Sequence, residues 1–252
     1  MAVFDPKEFA VPRGRARVLV VGAGGLGSPA LYALAASGVG TLGVADGDTV
    51  DISNLQRQII HTTAGAGTLK TASAEEFLRK AGFEGFVERL DHRLEADNIL
   101  EAVSSFDVVI DASDTFRSKF MLNDACVLTG RPLVHAGVLQ FEGQLMTVYP
   151  ERSACLRCLF ENPPPPDCVP TCQEAGILGA AAGVLGVIQT AEALKVLDGH
   201  AATIRDRVLS FDARHLAFRS VPVARDPACP VCGQKPRINA IAAENYPAIA
   251  CS

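Results

Sequence analysis

The segment DGDTVDISNLQRQIIH, residues 46–61, holds the side chains best suited to chemistry in this sequence. It contains three aspartates, an Asn, an Arg and two Gln, and few residues that could form a core. Asn54, Arg57 and the later Lys70 offer an amide, a fixed guanidinium fork and a compact ammonium. Because such groups bind terminal phosphates and neutralise a leaving pyrophosphate, they favour ATP over a dinucleotide.

A glycine-rich turn, GAGGLG, precedes this segment and fits the pattern G-x-G-x-x-G between a short apolar strand and a helix. Such a turn lets the backbone approach a phosphate at the helix N-terminus. Asp46 ends the next predicted strand, where a carboxylate accepts a hydrogen bond from a ribose hydroxyl. Alone, the pattern indicates a nucleotide site or merely a helix packed closely on a sheet. The glycines concerned are Gly22, Gly24, Gly25 and Gly27.

Two further aspartates, Asp111 and Asp114, follow the predicted fourth strand at its carboxyl end. Ligands of open α/β sheets bind at that edge, and Mg²⁺ prefers a carboxylate together with substrate phosphate oxygens. An aspartate here is therefore a candidate magnesium ligand. The alternative is that Asp114 caps the helix starting near Thr115, since Asp is a strong N-cap residue.

Two C-x-x-C pairs lie far apart in the chain, in CLRC and in CPVCG. This spacing is typical of a tetrahedral zinc site with four thiolate ligands, which would be structural because no position remains open. The alternative is redox-active or unpaired thiols. The predicted ligands are Cys155, Cys158, Cys229 and Cys232.

The other cysteines and the histidines give weaker signals. Cys172 and Cys168 lie in PDCVPTCQEAG, just before a small-residue helix, where a thiol can acquire a lowered pKa and act as a nucleophile. Cys172 is the better candidate, whereas Cys126 lies in an apolar stretch and is expected in the core. The five histidines form no spaced cluster and are interpreted as structural or surface residues.

The elements that must position these groups alternate between strands and helices up to about residue 138, which predicts a doubly wound parallel sheet. From about residue 139, two segments favour antiparallel strands, separated by a cysteine-rich loop and a buried small-residue helix over 175–194. We expect one domain over 1–252, with a nucleotide-binding half (1–138), a second half that contains the cysteine pairs (139–233) and a tail (234–252).

Composition excludes several functional classes. The sequence is 48% apolar and 20% charged, which is ordinary for a folded α/β protein. A net charge of −5 offers no basic face for nucleic acid. The start of the chain lacks a signal-peptide pattern, and the apolar helix contains a Gln and a Glu, so we expect a cytoplasmic protein that does not span a membrane.

Together, GAGGLGSPALYALAASGVGTL, DGDTVDISNLQRQIIH, Lys70, DASD, EGQL, CLRC, TCQEAG and CPVCG resemble the ThiF/MoeB/HesA adenylyltransferases, bacterial relatives of ubiquitin-activating enzymes. The resemblance runs in order from about residue 16 to 233. It implies a Rossmann-like enzyme that binds ATP and Mg²⁺ and adenylates the C-terminal Gly-Gly carboxylate of a small ubiquitin-like sulfur carrier. It also implies a separate sulfur donor protein and a homodimer, in thiamine, molybdenum cofactor or another sulfur pathway.

The resemblance also assigns roles to residues. The residues assigned to nucleotide binding are the glycines above and Asp46, Asp48, Asn54, Arg57, Gln58 and Lys70. Asp114 is assigned to magnesium binding. Cys172 lies in a motif that in some members joins the carrier covalently. Arg57, Lys70, Asp114 and Cys172 are thus the catalytic candidates. Family members usually start with R-Y-x-R-Q, whose arginine reaches the partner subunit's ATP. That motif is absent from MAVFDPKEFAVPRGRA, so Arg13 or Arg15 substitutes, or the charge comes from elsewhere.

Two other functions compete with this one. A carrier-binding scaffold without turnover is suggested only by the missing N-terminal arginine. An NAD-dependent oxidoreductase is suggested only by the glycine turn and Asp46, and it leaves Arg57, Lys70 and the cysteine pairs unexplained.

Overall fold

The computed structural model describes residues 4–163 and 176–246. Within them, eight strands form one sheet. The strands are β1 (Arg17–Val21), β2 (Thr41–Ala45), β3 (Phe86–Leu90), β4 (Val108–Asp111), β5 (Leu133–Leu139), β6 (Glu142–Val148), β7 (Arg207–Asp212) and β8 (Ala217–Pro222). Their order is β3-β2-β1-β4-β5-β6-β7-β8, parallel through β5 and antiparallel from β5 to β8. The predicted fold class is confirmed.

Helices cover both faces of the sheet. They are α1 (Gly27–Ala35), α2 (Lys70–Lys80), α3 (Ile99–Ser104), α4 (Phe116–Thr129), α5 (Leu156–Leu159) and α6 (Gly179–Leu197). Because strand side chains alternate in direction, β1 sends Val18 and Val20 into one core cluster and Leu19 and Val21 into the other. The first cluster contains α1, α2 and α6, and the second contains α3, α4 and the cysteine pairs.

Helix α6 is the predicted small-residue helix, and it starts at Gly179 rather than near residue 175. Its length and composition would suffice to cross a membrane, but 56% of its most apolar 18-residue stretch is buried. The helix packs on α1, β4, β5 and β6. Its small residues permit this close packing. The interpretation as a buried helix is confirmed.

The described part of the predicted tail, up to Tyr246, contains structure that its sequence does not indicate. No periodicity marks residues 234–252, yet a 3-10 turn forms over Ala243–Asn245 and Tyr246 is almost fully buried. An aromatic side chain that buries alone leaves no repeating pattern along the sequence, which explains why periodicity could not find it.

Candidate nucleotide site and thiol cluster

The glycine turn after β1 has a backbone path that only glycine can follow. Gly22 has a φ of +101°, and a Cβ there would lie 2.6 Å from the carbonyl oxygen of Ala112 at the end of β4. A Cβ on Gly27 would lie 1.8 Å from the Gly22 carbonyl oxygen. The turn therefore closes on itself against β4, with α1 starting directly behind it.

Asp46 holds this turn from the end of β2. Its Oδ2 accepts a hydrogen bond from the Ala23 N–H at 2.9 Å, and its Oδ1 accepts one from the Asp48 N–H at 2.9 Å. The carboxylate thus fixes the backbone of the turn and of the polar segment together. Its predicted contact with a ribose hydroxyl stays a prediction.

Lys70 is the first residue of α2 and points back to the same edge of the sheet. Its Nζ lies 3.1 Å from Asp48 Oδ2 and 4.0 Å from Asp46 Oδ2, and the side chain is buried. The other Asp48 oxygen accepts from Arg93 Nη2 at 2.7 Å. Burial alone would raise the pKa of Asp48, but Arg93 and Lys70 lower it below its usual value. Asp48 is therefore a carboxylate between two cations.

The polar segment wraps around the other side of the turn. Arg57 Nη2 donates to Asn54 Oδ1 at 2.5 Å, and the Arg57 side chain lies against Gly25. Gln58 is buried beside Gly24, and its Oε1 has no hydrogen-bond partner among the described residues. The structure thus gathers the predicted nucleotide-binding residues around a single turn.

His61 makes two contacts that the sequence did not predict. Its Nε2 lies 2.9 Å from the Ala23 carbonyl oxygen, and its Nδ1 lies 2.9 Å from Ser73 Oγ on α2. Burial lowers the pKa of His61, with a smaller contribution from the charge of Lys70. A neutral ring donates to Ala23 and accepts from Ser73, so it joins the glycine turn to the helix that carries Lys70. The only indication of this contact in the sequence is that His61 follows two isoleucines, Ile59 and Ile60.

The two aspartates of DASD have different environments. Both oxygens of Asp111 are engaged, one with Ser113 and the other with His135 Nδ1 at 2.7 Å and Lys119 Nζ at 3.2 Å. Burial alone would raise the pKa of Asp111, but Lys119 and His135 hold it well below its usual range. Asp111 is a buried structural carboxylate that is not available to a metal.

Asp114, in contrast, is exposed at the carboxyl edge of the sheet. The N-cap of α4 is Thr115, whose Oγ1 accepts from the Ser118 N–H at 3.1 Å, so the alternative that Asp114 caps this helix is wrong. The hydrogen bond to Asp48 is the main cause that raises the pKa of Arg93, and the charge of Asp114 raises it further. Asp114 is thus the carboxylate of DASD that faces the site.

The four cysteines of the C-x-x-C pairs converge, with all four Sγ atoms within 4.8 Å of one another. The Sγ atoms of Cys155 and Cys229 are 3.7 Å apart, those of Cys158 and Cys232 are 3.4 Å apart, and those of Cys155 and Cys158 are 4.0 Å apart. A tetrahedral zinc with bonds of about 2.3 Å requires sulfur separations of about 3.8 Å. The cluster fits a structural zinc ion.

A buried ion pair that the sequence did not indicate lies beside this cluster. Arg157 contacts Asp124 of α4 through Nε and Nη2 at 2.8–2.9 Å, and the Tyr246 hydroxyl donates to Asp124 Oδ2 at 2.8 Å. The Arg157 guanidinium also lies over the rings of Phe120 and Tyr246. We call Asp124, Arg157 and Tyr246 the clasp, because they join α4, the first cysteine pair and the tail.

The remaining predicted residues have mixed outcomes. Cys126 is fully buried, as expected, and burial raises its pKa. Cys168 and Cys172 lie outside the described residues. Arg13 pairs with Asp198 just after α6, at the edge of the sheet opposite the glycine turn. Within its own chain, therefore, Arg13 does not face the nucleotide site.

A family model described as "ThiF family" matches residues 12–231, which include the glycine turn, the polar segment and three of the four cysteines of the C-x-x-C pairs. The chain belongs to the ThiF family. The sulfur carrier protein adenylyltransferase of Thermus thermophilus is 45% identical to this ThiF-family chain, over 88% of the chain and 84% of the relative. The SAMP-activating enzyme E1 of Haloferax volcanii is 46% identical, over 86% and 80% respectively.

Other relatives are longer. The adenylyltransferase and sulfurtransferase MOCS3 of Mus musculus is 44% identical over 88% of the chain, but the match spans only 49% of that protein. Among solved structures, E. coli MccB with ATP has a TM-score of 0.77 at 21% identity, covering 90% of the chain and 68% of MccB. This likeness establishes the shared fold.

Proposed function

We propose that this protein adenylates the C-terminal Gly-Gly carboxylate of a small ubiquitin-like sulfur carrier, using ATP and releasing pyrophosphate. The observation that carries the proposal is the placement of Arg57 and Lys70 beside the glycine turn, with Asp114 exposed just after β4, in a chain that is 45% identical to a sulfur carrier protein adenylyltransferase. An NAD-dependent oxidoreductase would have no use for these cations.

The proposed chemistry is mostly positioning and charge stabilisation. The carrier's carboxylate is already a competent nucleophile, so the protein needs to place the α-phosphate before it and stabilise the departing pyrophosphate. The turn and Asp46 hold the nucleotide, while Asn54, Arg57 and Lys70 bind phosphate oxygens. Asp114 would hold Mg²⁺, which neutralises charge on those oxygens when bound. Lys70 is already directed to this edge by Asp48.

Zinc is the metal that best suits the four-thiol cluster. Thiolates are soft ligands, and a closed tetrahedral set leaves no position for a substrate or water. The cluster would therefore be structural, holding the chain near Cys229 and Cys232 against α5.

The carrier-binding surface is proposed on the antiparallel half of the sheet. Phe141, Leu216 and Phe218 are large apolar side chains that lie exposed at the β5–β6 turn and in the β7–β8 hairpin. Apolar side chains clustered on a surface mark interaction sites more often than scattered ones do. Phe218→Asp should weaken carrier binding and leave ATP binding unchanged.

The roles of Cys172 and of the sulfur donor are further proposals. If Cys172 joins the carrier covalently, Cys172→Ser should retain adenylation and lose a thiol-sensitive adduct measured by intact mass. The sulfur would come from a separate donor protein. The carrier's pathway, whether to thiamine, molybdenum cofactor or another product, depends on which carrier is recognised.

A homodimer in the cytoplasm is also proposed. Helix α6 and the polar segment leave Ile52, Ile59, Val184 and Val187 exposed, and a second copy would cover these side chains. Val187→Asp should then lower the molecular mass measured by light scattering in solution. If the unmodified protein already has the mass of a single chain, the dimer is contradicted.

The deciding experiment is exchange between ATP and radiolabelled pyrophosphate, with and without a panel of Gly-Gly-ended carriers. We expect one carrier to stimulate exchange, and Lys70→Met and Asp114→Asn to reduce it by about 10²-fold or more. Carrier binding without exchange, in protein that binds ATP, would favour a scaffold. Binding of NAD in preference to ATP would favour an oxidoreductase.

A further inference from the structure

Arg93 is a cation at the nucleotide edge that neither the sequence patterns nor the proposed roles include. It follows β3, and its Nη2 donates to Asp48 Oδ1 at 2.7 Å. Its charge also acts on Asp114 and Asp46. Arg93 is therefore bound directly to Asp48 and lies near enough to Asp46 and Asp114 for their charges to interact.

The polar segment leaves room for Arg93 to approach, because it has a glycine at position 47. Gly47 lies between Asp46 and Asp48, and a Cβ there would be 2.9 Å from the Arg93 backbone nitrogen and 3.0 Å from Arg93 Cγ. Any side chain at position 47 would push the loop after β3 away from this edge. The approach of Arg93 thus depends on a glycine within the segment that supplies the other candidate ligands.

Arg93 differs from Lys70 in its freedom to move. The Lys70 side chain is 8% exposed and is held between Asp46 and Asp48, whereas the Arg93 side chain is 69% exposed. An exposed ion pair contributes little to stability because water screens it and its side chains lose entropy. Exchanging Asp48 for a phosphate therefore costs Arg93 little, and a guanidinium fork matches phosphate oxygens well.

We infer that Arg93 is a further substrate-binding residue, which pairs with Asp48 in the free protein and with the polyphosphate of the bound nucleotide. The inference rests on the proposed function and deepens it, because it assigns a further cation to the polyphosphate. Within its own chain, Arg13 is bound to Asp198 at the opposite edge of the sheet.

The test compares Arg93→Ala, Arg93→Lys and the control Arg89→Ala in the pyrophosphate-exchange assay with full-length protein. Arg89 is also on the β3 side of the sheet and pairs with an aspartate, Asp91, but not with the three carboxylates of the site. We expect Arg93→Ala to raise the KM for ATP about 10-fold, with a smaller effect on kcat and none on AMP affinity. Arg93→Lys should recover part of the loss, and Arg89→Ala should match the unmodified protein.

A second comparison separates phosphate binding from simple neutralisation of Asp48. If Arg93 only balances that carboxylate, the double variant Asp48→Asn with Arg93→Ala regains the KM of Asp48→Asn alone, and the inference is overturned. An unchanged KM in Arg93→Ala overturns it too. Absence of exchange in the unmodified protein instead contradicts the proposed function, and the affinities for ATP and AMP then test Arg93 alone.

Discussion

The nucleotide edge and the thiol region both join separate segments of the chain through charged side chains, but they differ in how deeply those side chains are buried. At the nucleotide edge, Asp46, Asp48 and Lys70 are close in sequence, and Asp48 remains partly exposed. In the thiol region, Asp124, Arg157 and Tyr246 come from three distant segments and are buried together. The first arrangement leaves charge available to a ligand, whereas the second uses charge to hold the fold.

The largest effect should follow removal of the metal from the thiol cluster. Four thiols lie within 4.8 Å of one another, so a zinc ion that they bind would contribute directly to folding. We expect a chelator, or Cys229→Ser, to release zinc and lower the Tm by about 10 °C or more. Metal analysis with thermal unfolding checks this, and Cys126→Ala should keep its zinc. An unchanged Tm in metal-free protein would contradict the role.

Breaking the clasp should have the next largest effect. Arg157→Met leaves Asp124 as a buried charge without its cation, which costs about 3–5 kcal/mol of unfolding free energy. Tyr246→Phe removes only one hydrogen bond to that carboxylate and should cost about 1–3 kcal/mol. Denaturant unfolding with zinc present measures both. Equal losses would mean that the Tyr246 hydroxyl stabilises the Asp124 carboxylate as much as the Arg157 cation does.

The same contrast explains what the sequence could predict. The glycine turn, the polar segment and the cysteine spacing are local patterns whose chemistry follows from residue type, and their residues do converge. The alternation of elements likewise sufficed for the sheet. Each motif needs only its own neighbours to be recognised.

Contacts between segments were not predictable. Arg93 appears in the sequence as one arginine among many, and only the pairing of β3 with β2 brings it to Asp48. Tyr246 follows a stretch without periodicity, and its partner Asp124 lies inside α4, where a polar residue would be expected at the surface. His61 is one of the histidines interpreted as structural or surface residues, but its link between the turn and α2 depends on the three-dimensional path of the polar segment.

Glycine substitutions sharpen the comparison at smaller cost. Gly27→Ala places a Cβ 1.8 Å from the Gly22 carbonyl oxygen, so we expect loss of ATP binding and about 1–3 kcal/mol of unfolding free energy. Gly183 in α6 has no atom within 4 Å of a built Cβ, and Gly183→Ala should stabilise the helix by about 0.5–1 kcal/mol. Calorimetry with and without ATP measures both. If Gly183→Ala instead lowers the unfolding free energy, a partner surface must pack against that position.

The smallest effect concerns pH and the nucleotide edge. Burial lowers the pKa of His61 below its ordinary 6.5, so the folded state binds a proton there less readily than the unfolded state does. Below about pH 6.5 the unfolded state therefore carries more protons, and the unfolding free energy must fall as the pH falls. One such group contributes at most about 1.4 kcal/mol per pH unit.

His61→Gln isolates this contribution, because a glutamine amide can still donate to the Ala23 carbonyl but does not titrate. Unfolding free energies measured from pH 7.5 to 5.5 should decline less steeply in His61→Gln than in the unmodified protein. His135, whose pKa burial also lowers, is present in both proteins and cancels in the comparison. Parallel slopes would show that His61 is not held neutral, and that the turn and α2 are joined by a charged ring instead.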